Sequence, residues 1–471
     1  MREQKLFIGG AWVDTDTIQE VHDRWTGELI GTVHRASRHH AIQAVDAAAV
    51  ALKCGFPVPQ RAAVLAATAQ YLTDHAEEFA QSITAEIGKP ITASRTEVAR
   101  AASTLQFAAE EARRLPSETV PLDATEAGGG LIGFTIAQPK GIVAAITPFN
   151  FPLNLVVHKI GPAIAAGCPV VFKPSDRTQL TAGLLIEAFV ASGMPPGQLN
   201  LLTGTPADVV VPWQLDDRVA VVTFTGSPKV GWALKAASPR KLHILELGSN
   251  TAMVVAADAD LERAARDTVT AALTNSGQAC VSLQRVYVDS SVSERYLERV
   301  KMLFQAVPVG DPRLDGTLVG PLISDAEVAR LDSWIAEAVA TGARVVVGGE
   351  PQGSVLPPTL IADVRPEDRV VCEEVFGPVV TVTMVANLDE AINHVNNSLY
   401  GLNTSIYTAS IANALDYARR AESGSVLVNV PPSFRADHMP YGGVKDSGQG
   451  REGVKYAVAE MTEQKLIILC A

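Results

Sequence analysis

The stretch Gly141-Ile142-Val143-Ala144-Ala145-Ile146-Thr147-Pro148-Phe149-Asn150-Phe151-Pro152 decides the fold. Five consecutive apolar residues, 142–146, read as a strand buried on both faces, since a half-solvated strand would alternate apolar with polar positions. Two prolines bracket the loop that follows, and a helix is expected over 153–166. The alternation then repeats, with strands at 169–172, 199–202, 219–224 and 242–245 and helices at 180–192 and after Pro228. Apolar strands separated by helices imply a parallel, doubly wound sheet, which binds ligands beyond the carboxyl ends of its strands.

Toward the N-terminus, residues 5–35 read as short strands and turns (6–8, 12–13 and 28–33). Residues 39–115 read as Ala-rich helices, with apolar faces at helical spacing over 61–72 and 94–115. A ribbon follows, with strands at 119–122 and 131–137 joined through Gly128-Gly129-Gly130. It is a candidate for pairing with a strand of the same chain or of a second subunit. Toward the C-terminus a second α/β segment has strands at 252–255, 284–288, 344–347, 359–362, 379–384 and 425–428. Its helices are expected at 261–274, 292–305, 325–340 and 411–421. The boundary between the two segments is placed near Leu247-Gly248.

With 471 residues the chain should hold two or three domains, and 47% hydrophobic against 19% charged residues describes a folded protein. A formal charge of -12 argues against nucleic-acid binding, which needs clustered cations. The five cysteines (Cys54, Cys168, Cys280, Cys372, Cys470) are scattered without a CxxC pair, so neither a disulfide framework nor a metal site is expected, and a reducing, cytoplasmic setting is. No signal peptide and no membrane span is read from the sequence.

Four stretches occur in order: the Thr147 to Pro152 loop, Glu246-Leu247-Gly248, Gly277-Gln278-Ala279-Cys280, and Glu374-Val375-Phe376-Gly377-Pro378. With Pro440-Tyr441-Gly442-Gly443-Val444-Lys445 near the end, the chain resembles the aldehyde dehydrogenase superfamily over almost its whole length. Details such as Glu246-Leu247-Gly248-Ser249-Asn250 are similar to the branch of lactaldehyde, phosphonoacetaldehyde and non-phosphorylating glyceraldehyde-3-phosphate dehydrogenases. The resemblance implies two doubly wound α/β domains plus a small β oligomerisation ribbon. The dinucleotide-binding domain would comprise residues 1–118 and 140–247, and the catalytic domain 248–428. Residues 119–139 and 455–471 would form the ribbon of a homodimer or homotetramer, and 429–454 would line the substrate tunnel.

The same resemblance makes Cys280 the nucleophile and Asn150 an oxyanion holder beside the Cys280 backbone N–H. Glu246 becomes the base that activates water, and Lys159 and Glu452 a proton relay. A carboxylate ending the apolar strand 242–245 suits base work, because desolvation raises its pKa. The implied cofactor is NAD, with NADP possible. Its site would use Ile146, Thr147, Pro148, Phe149, Lys173, Ser175, Asp176, Gly226, Ser227, Leu247, Gly248, Glu374 and Phe376. Asp176 would accept from ribose hydroxyls and repel a 2′-phosphate, whereas the neighbouring Arg177 would soften that repulsion. Arg100, His158, Phe434 and Arg435 fall in the tunnel wall, which points to a small polar or anionic aldehyde oxidised to its acid. The competing readings are a coenzyme A-acylating enzyme and a non-catalytic protein that retains the fold.

Overall fold

The computed structural model describes residues 1–470. An eight-stranded sheet runs in the order Gly448–Gln449, Leu242–Glu246, Val219–Thr225, Ile142–Ile146, Val170–Lys173, Leu199–Leu201, Leu6–Ile8, Ala11–Val13. The five strands from Leu242–Glu246 to Leu199–Leu201 pair in parallel. The chain lays down Ile142–Ile146 first, builds outward on one side, then returns to the other side with Val219–Thr225 and Leu242–Glu246. This reversal of winding opens a crevice at the carboxyl ends of Ile142–Ile146 and Val219–Thr225. All of Ile142–Ile146 is buried, as its unbroken apolar run requires.

The expected helical region resolves into Arg38–Cys54, Val58–Asp74, Ala76–Ile87 and Ile91–Glu111. Ile91–Glu111 packs against Asn154–Ala166, every residue of which is buried. The chain crosses from the first sheet to the second between Glu246 and Ala252. The second sheet has seven strands, in the order Arg344–Val347, Thr359–Ala362, Val379–Val385, Arg285–Asp289, Ala252–Val255, Asn403–Tyr407, Ser425–Val428, parallel except at its first pair.

Several elements go beyond the sequence reading. Asn403–Tyr407 looks polar, yet it lies inside the second sheet with all five residues buried. The Thr404 hydroxyl donates to the Ala252 carbonyl at 3.0 Å and the Asn403 amide to the Pro432 carbonyl at 2.8 Å. Helix Pro206–Leu215 is hidden by Pro212, although Thr205 caps it by accepting from the Asp208 N–H. Arg2–Gln4 and Ile18–His22 flank Leu29–His34 in a small sheet of their own.

The ribbon strand Leu131–Pro139 pairs antiparallel with Thr462–Cys470 over nine residues, from Thr462 opposite Pro139 to Cys470 opposite Leu131. Its other neighbour is Thr119–Val120. Among the described residues, no helix is long and apolar enough to cross a membrane.

Candidate active site

Helix Leu261–Leu273 ends in a turn that aims Cys280. Asn275, Ser276 and Gly277 have φ of 53°, 54° and 75°, a left-handed run that turns the chain sharply. A Cβ on Gly277 would lie 2.1 Å from the Gly377 carbonyl oxygen, so only glycine fits. The turn is pinned from both sides: the Gln278 amide oxygen accepts from the Ile323 N–H at 2.8 Å, and Asn275 donates to the carbonyls of Asn150 and Gln278. Cys280 then faces two cavities at once. One, of about 330 Å³, is lined by Lys89, Arg100, Asn154, Arg435 and Tyr441, and the other, of about 620 Å³, is the crevice of the first sheet.

The Asn150 loop reaches the same turn, and Asn150 lines the larger cavity together with Cys280. Its side-chain amide donates to the Gln278 carbonyl at 2.9 Å, which leaves the second N–H of that NH₂ group for a ligand. No hydrogen-bond acceptor takes the Cys280 backbone N–H among the described residues. Two donors are therefore available beside Cys280.

Two buried residues that sequence reasoning missed hold this loop in place. Lys89 donates to the Asn150 carbonyl at 3.0 Å and to Glu97 at 2.6 Å. Glu97 in turn accepts from the N–H groups of Leu153 and Asn154, where helix Asn154–Ala166 begins. A Lys and a Glu eight residues apart across a Pro-interrupted helix start carry no sequence signal of contact.

Glu246 ends its strand buried, with neither carboxylate oxygen hydrogen-bonded. Burial, and then the neighbouring Glu452 carboxylate, push its pKa well above the ordinary range. Burial also opposes charge on Glu452, but Lys159 at 2.7 Å and Arg435 at 3.0 Å hold it ionised, below the usual carboxylate range. Two carboxyls with opposed environments suit one as base and its ionised neighbour as the next acceptor along a proton path. Burial pushes the Cys280 thiol up to about 11.

The tunnel residues divide. Arg100 lines the smaller cavity but is gripped in a fork by Asp437, at 2.7 and 3.2 Å. His158 does not line the cavity: it is 1% exposed, and its Nε2 meets the same Asp437 at 3.0 Å. Burial pushes its pKa down to about 4, so the imidazole is neutral at neutral pH. Phe434 is half exposed and lies outside both cavity linings. Arg435 lines the cavity, and its buried Nε–H has no partner. Asp437, which organises this wall, was not singled out in the sequence.

The larger cavity is lined by Ile146, Thr147, Pro148, Phe149, Lys173, Ser175, Gly226, Ser227, Leu247, Gly248, Glu374 and Phe376. Its volume suits a dinucleotide. Two buried hydroxyls facing it, Thr147 and Thr225, have no protein partner, as a site awaiting a polar ligand would leave them. A Cβ on Gly226 would strike the Phe224 ring at 2.4 Å, and one on Gly248 would strike the Glu374 carboxylate at 2.6 Å, so both cavity-lining positions need glycine for these side chains to pack. Helix Pro228–Ala237 starts at Ser227 and offers its N-terminus to phosphate. Asp176 stands beside the cavity and outside its lining, tied to Lys173 at 3.2 Å and Arg35 at 3.3 Å, whereas Arg177 lines it.

Residues 12–467 match the Aldehyde dehydrogenase family. The chain is 40% identical over 470 residues to a 3-sulfolactaldehyde dehydrogenase of Priestia aryabhattai, covering 100% of this chain and 98% of the relative. It is 36% identical to a lactaldehyde dehydrogenase of Methanococcus maripaludis, covering 98% and 99%. A crystal structure of an aldehyde dehydrogenase from Physcomitrella patens, in complex with the reaction product succinate, superposes with a TM-score of 0.97 at 36% identity, covering 100% and 98%. With a cysteine at the meeting point of two cavities and a match over nearly the entire length, the chain belongs to the aldehyde dehydrogenase family and is an NAD(P)-dependent oxidoreductase of aldehydes.

Proposed function

We propose that this enzyme oxidises a short aldehyde bearing a hydroxyl or an anionic group to the free carboxylic acid. Cys280 attacks the carbonyl carbon, and the resulting oxyanion meets the second N–H of Asn150 and the Cys280 backbone N–H. Such preorganised donors supply a large share of acyl-transfer catalysis. Thr147, Thr225, Gly226, Ser227 and Glu374 of the larger cavity would hold NAD(P), which would supply the hydride acceptor when bound. The thioester left on Cys280 is then opened by water, whose proton Glu246 takes and passes toward Glu452 and Lys159. An unpaired carboxylate poised for this step favours water over coenzyme A as the acyl acceptor.

The observation that carries the substrate class is Arg435, a buried guanidinium whose Nε–H lacks a partner in the wall beside Cys280. A buried donor of that kind is costly unless a ligand supplies the acceptor. The relatives agree in kind: two are dehydrogenases of 3-sulfolactaldehyde and lactaldehyde and a third holds succinate as product, all short and polar. Cofactor reduction should be followed at 340 nm with 3-sulfolactaldehyde, lactaldehyde and propanal, for wild type and Arg435→Met. Arg435→Met should raise KM for the sulfonate by about tenfold or more beyond any loss shared with propanal, the value of a lost charge-assisted hydrogen bond, since its contacts with Glu452 and Tyr441 serve every substrate. An equal effect on all three would sink the assignment, and acid formed only with added coenzyme A would support the acylating alternative.

The same proposal makes residues 1–118 and 140–247 the dinucleotide-binding domain, 248–428 the catalytic domain and 429–454 the tunnel wall. Residues 119–139 and 455–471 would join subunits of a cytoplasmic homodimer or homotetramer. Ile132, Leu466, Ile468 and Leu469 support this, as about half of each side chain is exposed on the ribbon. Sedimentation of Ile468→Glu tests it: an unchanged oligomer would count against the ribbon.

A further inference from the structure

We propose that Tyr441 is a catalytic hydrogen-bond donor in this enzyme: its phenol holds the Cys280 thiolate, with Arg435 stacked on the ring to strengthen the O–H. The inference rests on Cys280 being the nucleophile. The phenolic oxygen lies 3.1 Å from the Cys280 sulfur, and that sulfur is its hydrogen-bond partner. Tyr441 is 2% exposed, so no water contact competes for the hydroxyl at the surface. Its backbone is clamped, donating to the Glu452 carbonyl at 3.0 Å and accepting from the Glu452 N–H at 2.7 Å. The Arg435 guanidinium sits 3.8 Å from the ring centroid. A cation on the ring face draws electron density from the phenol and makes its proton a better donor.

Burial keeps the phenol above its ordinary range, so the proton remains on oxygen while the sulfur ionises. Among the influences on the buried thiol, the Tyr441 hydrogen bond is the largest that favours the thiolate. When the S–C bond forms, the negative charge passes from sulfur to the carbonyl oxygen and the phenol loses its charged acceptor. When water opens the thioester, the S–C bond breaks with its electron pair left on sulfur, and the phenol stabilises the leaving thiolate. Tyr441 therefore assists both formation and release of the acyl group. Sequence reasoning quoted Tyr441 in the Pro440-Tyr441-Gly442-Gly443 stretch without giving it a role; contact with the sulfur emerges only in three dimensions.

The test is Tyr441→Phe in the full-length enzyme, which keeps the ring and removes one oxygen. Alkylation of Cys280 by iodoacetamide is followed against pH by mass spectrometry of the Cys280 peptide. The apparent thiol pKa should rise by about one, lowering the thiolate fraction at pH 7.5 about tenfold. The more basic thiolate is intrinsically roughly threefold more nucleophilic, so the net rate at pH 7.5 falls about threefold while the limiting alkaline rate rises. The acid limb of kcat/KM should move to higher pH in step, with the melting temperature and cofactor affinity unchanged. A thiol pKa that stays put, or a rate lowered equally at every pH, overturns the proposal. Failure of the underlying reading looks different: Cys280→Ser would then retain turnover.

Discussion

Replacing Lys89 with Met tests whether a buried ion pair positions the oxyanion loop. Lys89 and Glu97 are both fully buried and 2.6 Å apart, and they share the loop: Lys89 holds the Asn150 carbonyl while Glu97 holds two N–H groups at the start of helix Asn154–Ala166. Two unit charges about 4 Å apart attract by about 4 kcal/mol at an effective dielectric constant of about 20. Removing one partner strands the other, which costs about 3–5 kcal/mol. Lys89→Met and Glu97→Gln should each lose about that much in urea unfolding. The double variant buries no unpaired charge, so it should lose about 2–3 kcal/mol less than the sum of the two. Catalysis separates the roles: Lys89→Met leaves the Asn150 carbonyl with Asn275 as its one remaining side-chain donor, and kcat/KM should fall about 10- to 100-fold through misplacement of the Asn150 amide. Additivity within about 0.5 kcal/mol would refute the coupling. Full activity in a destabilised Lys89→Met would refute the positioning.

Three further outcomes are expected. Asn150→Ala should lower kcat about 10²- to 10³-fold with binding of the cofactor intact, read by fluorescence titration. Glu246 must be ionised to take a proton from water, and its pKa is raised; kcat should therefore fall as pH drops through that raised value, and Glu246→Gln should release one burst of reduced cofactor before stalling. A steady rate without a burst would remove Glu246 from deacylation. Asp437→Asn should release Arg100 from its fork into the cavity and lower KM for a sulfonate aldehyde several-fold, about one hydrogen bond's worth, whereas an unchanged KM would show that Arg100 is not free to turn.

Sequence alone determined the parts that depend on local pattern. The unbroken apolar run 142–146 needs a sheet covered on both faces, and the repeating alternation from 142 to 245 needs parallel strands with helices between them. The four ordered stretches around Asn150, Glu246, Cys280 and Glu374 carried the resemblance to the aldehyde dehydrogenase family, which the match over residues 12–467 shows. Asn403–Tyr407 escaped, since the donors of its Asn403 and Thr404 side chains find carbonyls outside the strand, at Pro432 and Ala252, that no local pattern shows. Tertiary structure decided what meets across long separations: Arg100 and His158 both turn to Asp437, some 280 to 340 positions away, rather than to the cavity as a pair, and Tyr441 reaches Cys280. The physical reason is that charge and hydrogen-bond complementarity act through space over a few ångströms, whereas periodicity acts along the chain, so the sequence shows which groups exist and only the fold pairs them.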